Sequence, residues 1–197
     1  HVDVNTLCTL LSCSVATVRR DLDKLETEGF LTKAYGGAIL NETDAQHIVL
    51  SADSDPYFES KKNAAKIASS LVADGDIIYL GPGPTCTLLA SMLKQKHNLT
   101  VVTNSIDAIV ELSDASDIHV IVAGGDLDAY ARNCCTVGAQ AISIISTMYI
   151  GKAFFTVDGI SMQYGYTVGN YDYMALLQTV MRQSSESCVI ADISKFG

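Results

Sequence analysis

From residue 61 onward, the chain alternates between segments with helical periodicity and short runs of β-branched residues, separated by glycine-rich turns. This alternation predicts an α/β domain, in which helices pack on a sheet. The predicted strands are residues 77–80, 99–102, 118–122, 153–156 and 188–191. The predicted helices between them are residues 61–73, 85–94, 105–113 and 173–182.

The length of 197 residues and the hydrophobic content of 48% suit a small domain attached to a medium-sized one. A polar, acidic stretch over residues 41–60 predicts a linker. We therefore expect a small domain at residues 1–40 and the α/β domain at residues 61–197. The longest apolar runs, such as residues 118–123, are too short to span a bilayer, and no signal sequence opens the chain, so we expect a cytoplasmic protein without a membrane partner.

The small domain is predicted to begin with two short helices. Ser14 is a favourable N-cap for the second helix, because its hydroxyl can accept a hydrogen bond from a free backbone amide. The apolar stripes that we expect to pack inward are Leu7, Leu10 and Leu11 in the first helix and Val18, Leu22 and Leu25 in the second. Gly29 is predicted to end the second helix, and residues 30–38 form a short two-stranded wing with a glycine turn.

The polar face of the second helix carries groups that suit a DNA groove. Arginine can pair with guanine or phosphate through two hydrogen bonds, and Ser and Thr commonly bind phosphate oxygens. The residues that we expect to contact DNA are Ser14, Thr17, Arg19, Arg20 and Lys24, with Lys33 from the wing. The alternative is an amphipathic hairpin whose two arginines only form a solvated face.

A longer pattern favours the DNA-binding interpretation. The run over residues 14–22, followed by Leu25-Glu26, Gly29-Phe30-Leu31 and Tyr35-Gly36-Gly37-Ala38, resembles the winged helix-turn-helix of DeoR-family bacterial transcription regulators. The resemblance implies that the helix beginning at Ser14 is the recognition helix, with Thr17, Arg19 and Arg20 as contacts. It also implies that the first helix of the family's domain is missing before His1.

Charge restricts how this domain could bind DNA. The net charge is -9, and residues 1–42 hold four basic and six acidic groups, so the segment is not basic overall. The remaining residues hold nine basic and 16 acidic groups and account for most of the negative charge. Affinity for DNA must then come from the placement of a few cations, and we expect a dimer or tetramer that binds repeated half-sites.

In the larger domain, Gly81-Pro82-Gly83-Pro84-Thr85 connects a predicted strand to a helix. Glycines at such a turn let backbone amides approach an anion at the helix N-terminus, and phosphate is the expected guest, although tight turns also need Gly for geometry alone. The chain lacks the nucleotide-binding patterns G-x-x-x-x-G-K and G-x-G-x-x-G. Further turns at strand ends are residues 103–105, 124–125 and 158–159, which would line the crevice of an open α/β sheet.

This order of elements resembles the DeoR-family sensor domain from residue 61 to residue 197, a domain similar in fold to ribose-5-phosphate isomerase and glucosamine-6-phosphate deaminase. The resemblance implies a phosphorylated sugar or related metabolite as effector, and a family member normally continues beyond Gly197. The implied effector contacts are Gly83, Thr85, Thr103, Asn104, Ser105, Gly124, Gly125, Asp158 and Lys195.

Several positions depart from the family pattern and leave the effector open. Gly81 replaces an Asp, Pro84 replaces a Thr, and a basic residue common after the glycine pair is Asp128 here. Met174 and Gln178 replace an acidic residue and a Lys. The cations that remain near the expected site are Lys152, Arg132 and Lys195, of which Lys195 is the best phosphate partner.

The other reactive residues form no recognisable centre, and we predict no metal, no cofactor and no catalysis. The four histidines are scattered, no cysteines have zinc spacing, and we expect the six cysteines to be reduced thiols. Asp158 could serve an enzyme as a general base, but it is more simply a residue that fixes a loop. The cluster of Tyr164, Tyr166, Tyr171 and Tyr173 could be a lid over the crevice or part of a subunit interface.

These observations predict a transcriptional regulator, a repressor of a sugar or carbohydrate-metabolism operon that binds operator DNA as a homo-oligomer and responds to a phosphorylated sugar. Two alternatives stay open: an enzyme similar to sugar-phosphate isomerases, and a regulator whose sensor has lost its effector and serves oligomerisation. Arg19 and Arg20 favour a regulator, because isomerisation has no use for them.

Overall fold

A computed structural model describes residues 2–11, 13–27, 31–34, 36–40, 55–128 and 134–196. The chain divides into two compact units, residues 1–49 and residues 50–197. Most of the predicted linker, residues 41–54, lies outside the described residues, and so do Gly29, Tyr35 and Arg132. No helix in the described ranges is long and apolar enough to cross a membrane.

The first unit contains two helices and a small antiparallel sheet. Its elements are β1 (Val2–Asp3), α1 (Val4–Leu11), α2 (Val15–Thr27), β2 (Leu31–Ala34) and β3 (Gly37–Leu40). The strands lie in the order β1-β3-β2, so the predicted wing, β2 with β3, gains a third strand that the sequence pattern did not indicate. This arrangement is the expected winged helix-turn-helix.

The core of this unit confirms part of the predicted apolar pattern. Its buried side chains are Val18, Leu22, Leu31 and Ala38, with Val4, Leu7 and Cys8 packed against them. The prediction was wrong for Leu10 and Leu11, which are 73% and 61% exposed, and for Leu25, which is 37% exposed. The packed face of α1 consists of Val4, Leu7 and Cys8, so it ends before Leu10, in the last turn of the helix.

The second unit is the predicted α/β domain. Its helices are α3 (Phe58–Ser70), α4 (Pro84–Leu93), α5 (Ile106–Leu112), α6 (Ala139–Ser146) and α7 (Tyr171–Gln183), followed by a 3-10 helix over Ile193–Lys195. Its main strands are β4 (Ile77–Leu80), β5 (Leu99–Thr103), β6 (Ile118–Val122), β9 (Ile150–Phe155) and β12 (Ser184–Val189). Two hairpins add β7 (Asp126–Asp128) with β8 (Cys135–Val137) and β10 (Gly159–Ser161) with β11 (Gly165–Thr167).

The five main strands form one parallel sheet in the order β12-β9-β4-β5-β6, with helices on both faces. Side chains alternate between the two faces along each strand. On β4, Ile78 and Leu80 pack with α3, α4 and α5, whereas Tyr79 packs with α6 and α7. On β9, Phe154 joins the first cluster and Phe155 the second. The sheet is therefore the middle of three layers.

The connection order places a topological switch point at the carboxyl edge of this sheet, the region that we call the crevice. The chain runs from β4 through α4 to β5 on one side, and β9 later returns to the other side of β4. Strand order thus reverses between β4 and β9, and ligands of open α/β sheets bind beyond the carboxyl ends of strands at such a switch point.

Candidate functional site

The polar face of α2 is exposed and capped at its start. Ser14 Oγ accepts a 3.2 Å hydrogen bond from Thr17 N and lies 2.9 Å from Thr17 Oγ1, so the predicted N-cap is confirmed. Thr17, Arg20 and Lys24 follow one another at spacings of three and four and therefore share one face of the helix. Among the residues that the structure describes, Arg20 forms a loose 3.8 Å pair with Asp21, and both side chains are mostly exposed.

Arg19 lies on the flank of α2 next to the wing, and Lys33 lies on the wing strand β2. Both line a cleft between α1, α2 and the wing strands, together with Val15 and Asp23. The Lys33 ammonium binds the Asp23 carboxylate and lies 3.5 Å from Glu26 Oε2, while Lys33 N donates a 2.8 Å hydrogen bond to Glu26 Oε1. The Asp23 hydrogen bond outweighs desolvation and raises the Lys33 pKa. Lys33 therefore ties the wing to α2, whereas the side chains of Arg19 and Arg20 are exposed.

In the second unit, the effector residues expected from the sequence all follow the carboxyl ends of main-sheet strands. Gly83 and Thr85 follow β4, Gly124 and Gly125 follow β6, and Asp158 follows β9. The segment from Thr103 to Ser105 ends β5, and Lys195 lies in the 3-10 helix after β12. The fold thus brings them to one edge of the sheet.

The Thr103–Ser105 segment is wholly buried, and its side chains are used within the protein. Thr103 Oγ1 donates 2.6 Å to Leu80 O and accepts from Ser105 N, so it joins the ends of β4 and β5. Ser105 Oγ accepts from Ala108 N and caps α5. Asn104 Nδ2 donates 2.7 Å to the Thr136 carbonyl. These three residues lie below the surface of the crevice and connect β5 to β4 and β8.

The turn after β4 requires glycine for steric reasons. Gly83 is the N-cap of α4 with φ +116°, and a Cβ there would lie 2.7 Å from Thr156 Oγ1. Pro84 occupies the first turn of α4 and has no N–H, so it supplies no amide to an anion. Thr85 is buried, and no side chain caps the helix. Backbone amides in this first turn are the donors that the turn can offer.

The remaining expected contacts differ in how open they are. A Cβ at Gly125 would lie 2.2 Å from Val137 O, so this glycine is needed for close packing against β8, whereas Gly124 faces open space. Asp158 is exposed, and its Oδ2 accepts a 2.7 Å hydrogen bond from Gly169 N. Lys195 is half-buried, and its ammonium makes no ion pair with any residue in the described ranges.

The expected position of Lys152 near the crevice was wrong. Its ammonium lies 2.7 Å from Asp76 Oδ2, and Asp76 precedes β4 at the amino edge of the sheet. Although desolvation acts in the opposite direction, the hydrogen bond from Lys152 lowers the pKa of Asp76. Lys152 stands in the first half of β9, where its register opposite Ile78 directs it to this far edge. Three cations were expected near the crevice. Lys152 lies at the other edge of the sheet and Arg132 lies outside the described residues, so Lys195 is the remaining candidate.

Two tyrosines at the crevice were not among the expected effector contacts, although Tyr173 belongs to the cluster predicted as a lid or as part of a subunit interface. The Tyr79 hydroxyl donates 2.7 Å to Asn104 Oδ1, and the Tyr173 hydroxyl is buried close to Gly81. Burial raises the pKa of both phenols well above the ordinary value, so they are neutral. The sequence did contain a signal for Tyr79: it stands within the apolar run of β4, and the hydroxyl of a buried tyrosine needs a hydrogen-bond partner.

Comparisons with known proteins agree with both units. The family model described as DeoR C terminal sensor domain matches residues 57–197, and the one described as DeoR-like helix-turn-helix domain matches residues 1–44. The chain belongs to the DeoR family. It is a DeoR-family transcriptional regulator, and the resemblance inferred from the sequence is confirmed.

Two relatives of this DeoR-family chain align with all or nearly all of its sequence. It is 32% identical over 197 residues to "HTH-type transcriptional repressor GlcR" of Bacillus subtilis (strain 168), covering 100% of this chain and 75% of that protein. It is 31% identical over 192 residues to "Lactose phosphotransferase system repressor" of Lactococcus lactis subsp. lactis, covering 94% of this chain and 73% of that protein.

The DeoR-family sensor unit also has the expected fold. The structure superposes on ribose 5-phosphate isomerase A from Methanocaldococcus jannaschii with a TM-score of 0.51 and 19% identity, covering 72% of this chain and 55% of that chain. The DeoR-family chain thus spans about half the length of that isomerase chain. The predicted similarity in fold to ribose-5-phosphate isomerase is confirmed.

Proposed function

We propose that this DeoR-family regulator represses a carbohydrate-metabolism operon, binds its operator through α2, and is released by a phosphorylated sugar. The observation that carries the proposal is the polar face of α2, a capped helix within a winged helix-turn-helix, on which Arg20 and Lys24 are exposed and Thr17 is half-buried. Relatives named for sugar systems, such as the lactose phosphotransferase system repressor, support the assignment to carbohydrate metabolism. The protein would act in the cytoplasm.

In this proposal, Arg19 and Arg20 supply the main DNA contacts, with Ser14, Thr17 and Lys24 beside them. Lys33 supports the wing, because its ammonium is already bound by two carboxylates. With two exposed guanidinium groups per recognition helix, one copy neutralises few phosphates, so its affinity would be low and sensitive to salt. Binding two half-sites as a homo-oligomer would supply the missing affinity.

We place the effector at the switch point between β4 and β9. Its phosphate would bind backbone amides in the first turn of α4, where the helix dipole favours an anion, with Lys195 as the counter-charge. Thr103, Asn104 and Ser105 would hold the turn in place rather than touch the ligand, because their side chains are already paired. Effector binding would release the operator only if the effector binds more tightly to the arrangement of the oligomer that fits the operator less well.

The proposal is tested by selecting duplex DNA from a random-sequence pool with the full chain and titrating it at several salt concentrations. The selected DNA should bind more tightly than random DNA, and a panel of pentose and hexose phosphates should contain a member that weakens this binding. Replacing Arg19 and Arg20 together with Ala should abolish selective binding, whereas Arg182→Ala, an exposed arginine at the end of α7, is the matched control. If selected and random DNA bind equally, the regulator is not a sequence-specific repressor.

A second candidate is a regulator whose sensor serves oligomerisation alone. It is favoured by Pro84, which removes one amide donor from α4, and by the internal pairing of Thr103, Asn104 and Ser105. Selective DNA binding that no sugar phosphate changes would support it. We propose no catalytic step: Asp158 is bound to the Gly169 amide as a loop-fixing residue would be. Turnover of a panel member would contradict this.

A further inference from the structure

The hydroxyl of Tyr173 is a buried polar group without a hydrogen-bond partner among the residues that the structure describes. The residue lies in the first turn of α7, and its ring packs against the cluster that contains Phe155 and Tyr79. Buried polar groups in folded proteins are nearly always paired, so an orphan at a candidate binding site calls for an explanation.

The position of this hydroxyl is the switch point itself. A Cβ built on Gly81 would lie 3.1 Å from the Tyr173 hydroxyl and 3.0 Å from Phe155 Cβ, so the hydroxyl lies between the carboxyl ends of β4 and β9. A larger residue at position 81 would displace the phenol. Because Gly81 has no side chain, the Tyr173 hydroxyl can lie at the carboxyl ends of β4 and β9.

The surroundings do not satisfy this hydroxyl. The neighbouring Tyr79 donates its own hydrogen to Asn104 Oδ1. The Tyr173 hydroxyl lies close enough to Tyr79 to lower its pKa, but the two hydroxyls do not have the geometry of a hydrogen bond. The other groups that act on Tyr173 are Cys86, Cys135 and Asp158, all of them neutral or negative. Burial first, and these neighbours second, raise the pKa of Tyr173 well above 10.0, so the phenol is an uncharged donor and acceptor.

A neutral hydroxyl near a carboxylate is a poor site for phosphate and a good one for a sugar oxygen. Phosphate binding requires cations or an array of amides, which the neighbours of Tyr173 do not provide. A sugar hydroxyl can accept a hydrogen bond from the phenol or donate one to it, and a sugar carbonyl oxygen can accept one. The Tyr173 hydroxyl is therefore suited to the uncharged part of a sugar phosphate.

We propose that the Tyr173 hydroxyl hydrogen-bonds an uncharged oxygen of the effector's sugar and determines which sugar this sensor recognises. The inference rests on the proposed function, in which a phosphorylated sugar occupies the crevice. It assigns the two ends of the effector to different places: the phosphate to the first turn of α4, and the sugar to a position next to the Tyr173 hydroxyl. Sites that pair with a substrate hydroxyl reject analogues that lack it, because the protein group is then left unpaired.

The test is isothermal titration of the full chain with ribose 5-phosphate, fructose 6-phosphate, glucose 6-phosphate and inorganic phosphate. Tyr173→Phe removes the hydroxyl and keeps the ring, and Tyr171→Phe removes an exposed hydroxyl two residues away as the matched control. For a sugar phosphate that the unmodified chain binds, we expect Tyr173→Phe to weaken binding about three- to tenfold, the usual effect of one neutral hydrogen bond. Affinity for inorganic phosphate should not change, and Tyr171→Phe should bind like the unmodified chain.

Three results would overturn the inference, and they are distinguishable. If Tyr173→Phe binds sugar phosphates as well as the unmodified chain does, Tyr173 is not a contact, but the proposed function stands. If it weakens sugar phosphate and inorganic phosphate by the same factor, or lowers the melting temperature, the residue has a structural role only. If the unmodified chain binds none of the sugar phosphates, the proposed function fails and this inference fails with it.

Discussion

The Tyr79 hydroxyl donates a 2.7 Å hydrogen bond to Asn104 Oδ1, and both residues are completely buried at the carboxyl edge of the sheet. Asn104 continues the connection through Nδ2 to the Thr136 carbonyl of β8. The bond joins β4 to the segment after β5, and from there to the β7-β8 hairpin. It holds together the loops in which we place the effector.

Tyr79→Phe should therefore lower stability although it removes a single oxygen. It leaves Asn104 Oδ1 buried and unpaired, which costs about 1–3 kcal/mol of the free energy of unfolding. Urea denaturation followed by far-UV circular dichroism measures the change. Tyr149→Phe is the control, because that exposed hydroxyl lies 2.9 Å from the equally exposed Ser185 Oγ and can be replaced by water. Equal losses in the two variants would contradict a special role for the buried pair.

The sequence predicted those elements whose hydrophobic pattern is complete. The bounds of β4 and β6 agree with the prediction, because each is a short, mainly apolar run, although β4 is largely buried and β6 lies at the sheet edge. β12 was predicted at residues 188–191 but spans Ser184–Val189, since its first residues are polar and it lies at the sheet edge, paired with β9 alone. α6 was missed because its eight residues are too few to repeat an apolar stripe: its buried residues are the single i, i+4 pair Ala141 and Ile145.

The candidate site was predictable in its position but not in its contacts. Turns that follow strands identified the crevice, because the carboxyl ends of parallel strands meet at one edge. Whether a polar side chain faces a ligand depends on three-dimensional pairing, which spacing does not encode. Asn104 is tied to Tyr79 and Thr136, distant in sequence, and Lys152 is tied to Asp76. The orphan hydroxyl of Tyr173 is visible only once Gly81 and Phe155 are placed beside it.

Arg20 and Lys33 should differ in their effects on DNA binding, although both are cations of the first unit. Arg20→Ala should weaken binding to selected DNA roughly ten- to a hundredfold and, if the guanidinium binds phosphate, reduce the slope of log affinity against log salt by about one. Lys33→Gln should leave that slope nearly unchanged, because the Lys33 ammonium is already bound by Asp23 and Glu26. Fluorescence anisotropy at several salt concentrations measures both. A larger slope change for Lys33→Gln would place the wing cation on the DNA instead.

The pair of His97 and Asp117 should make stability depend on pH. His97 Nδ1 lies 2.8 Å from Asp117 Oδ2, and this hydrogen bond, with the charges of Asp117 and Asp74, raises the pKa of His97 above 6.5. The folded state thus binds the proton more tightly than the unfolded state, so the stabilisation is complete below pH 6.5 and is lost as pH rises through the folded pKa.

His97→Gln should accordingly melt at a lower temperature than the unmodified chain at mildly acidic pH, and at nearly the same temperature at alkaline pH. Thermal denaturation across a pH series measures the difference. His119→Gln serves as the control, because His119 is exposed on β6 and makes no ion pair within the described residues. A difference between His97→Gln and the unmodified chain that persists unchanged at alkaline pH would mean that His97 stabilises the protein by packing rather than by charge.

The six cysteines are free thiols, and they should differ widely in reactivity. Burial raises the pKa of Cys86 to about 12, and burial with the charge of Asp128 raises that of Cys135 to about 12. At mildly alkaline pH, a thiol with a pKa of about 12 instead of 9.0 has about a thousandth of the thiolate, which is the reactive form. Iodoacetamide should therefore modify the exposed Cys13 quickly in the native chain and reach Cys86 and Cys135 only after urea unfolding, as peptide mass spectrometry can establish. Rapid native labelling of Cys86, which lies on α4 beside the crevice, would show that this edge of the sheet opens readily to solvent.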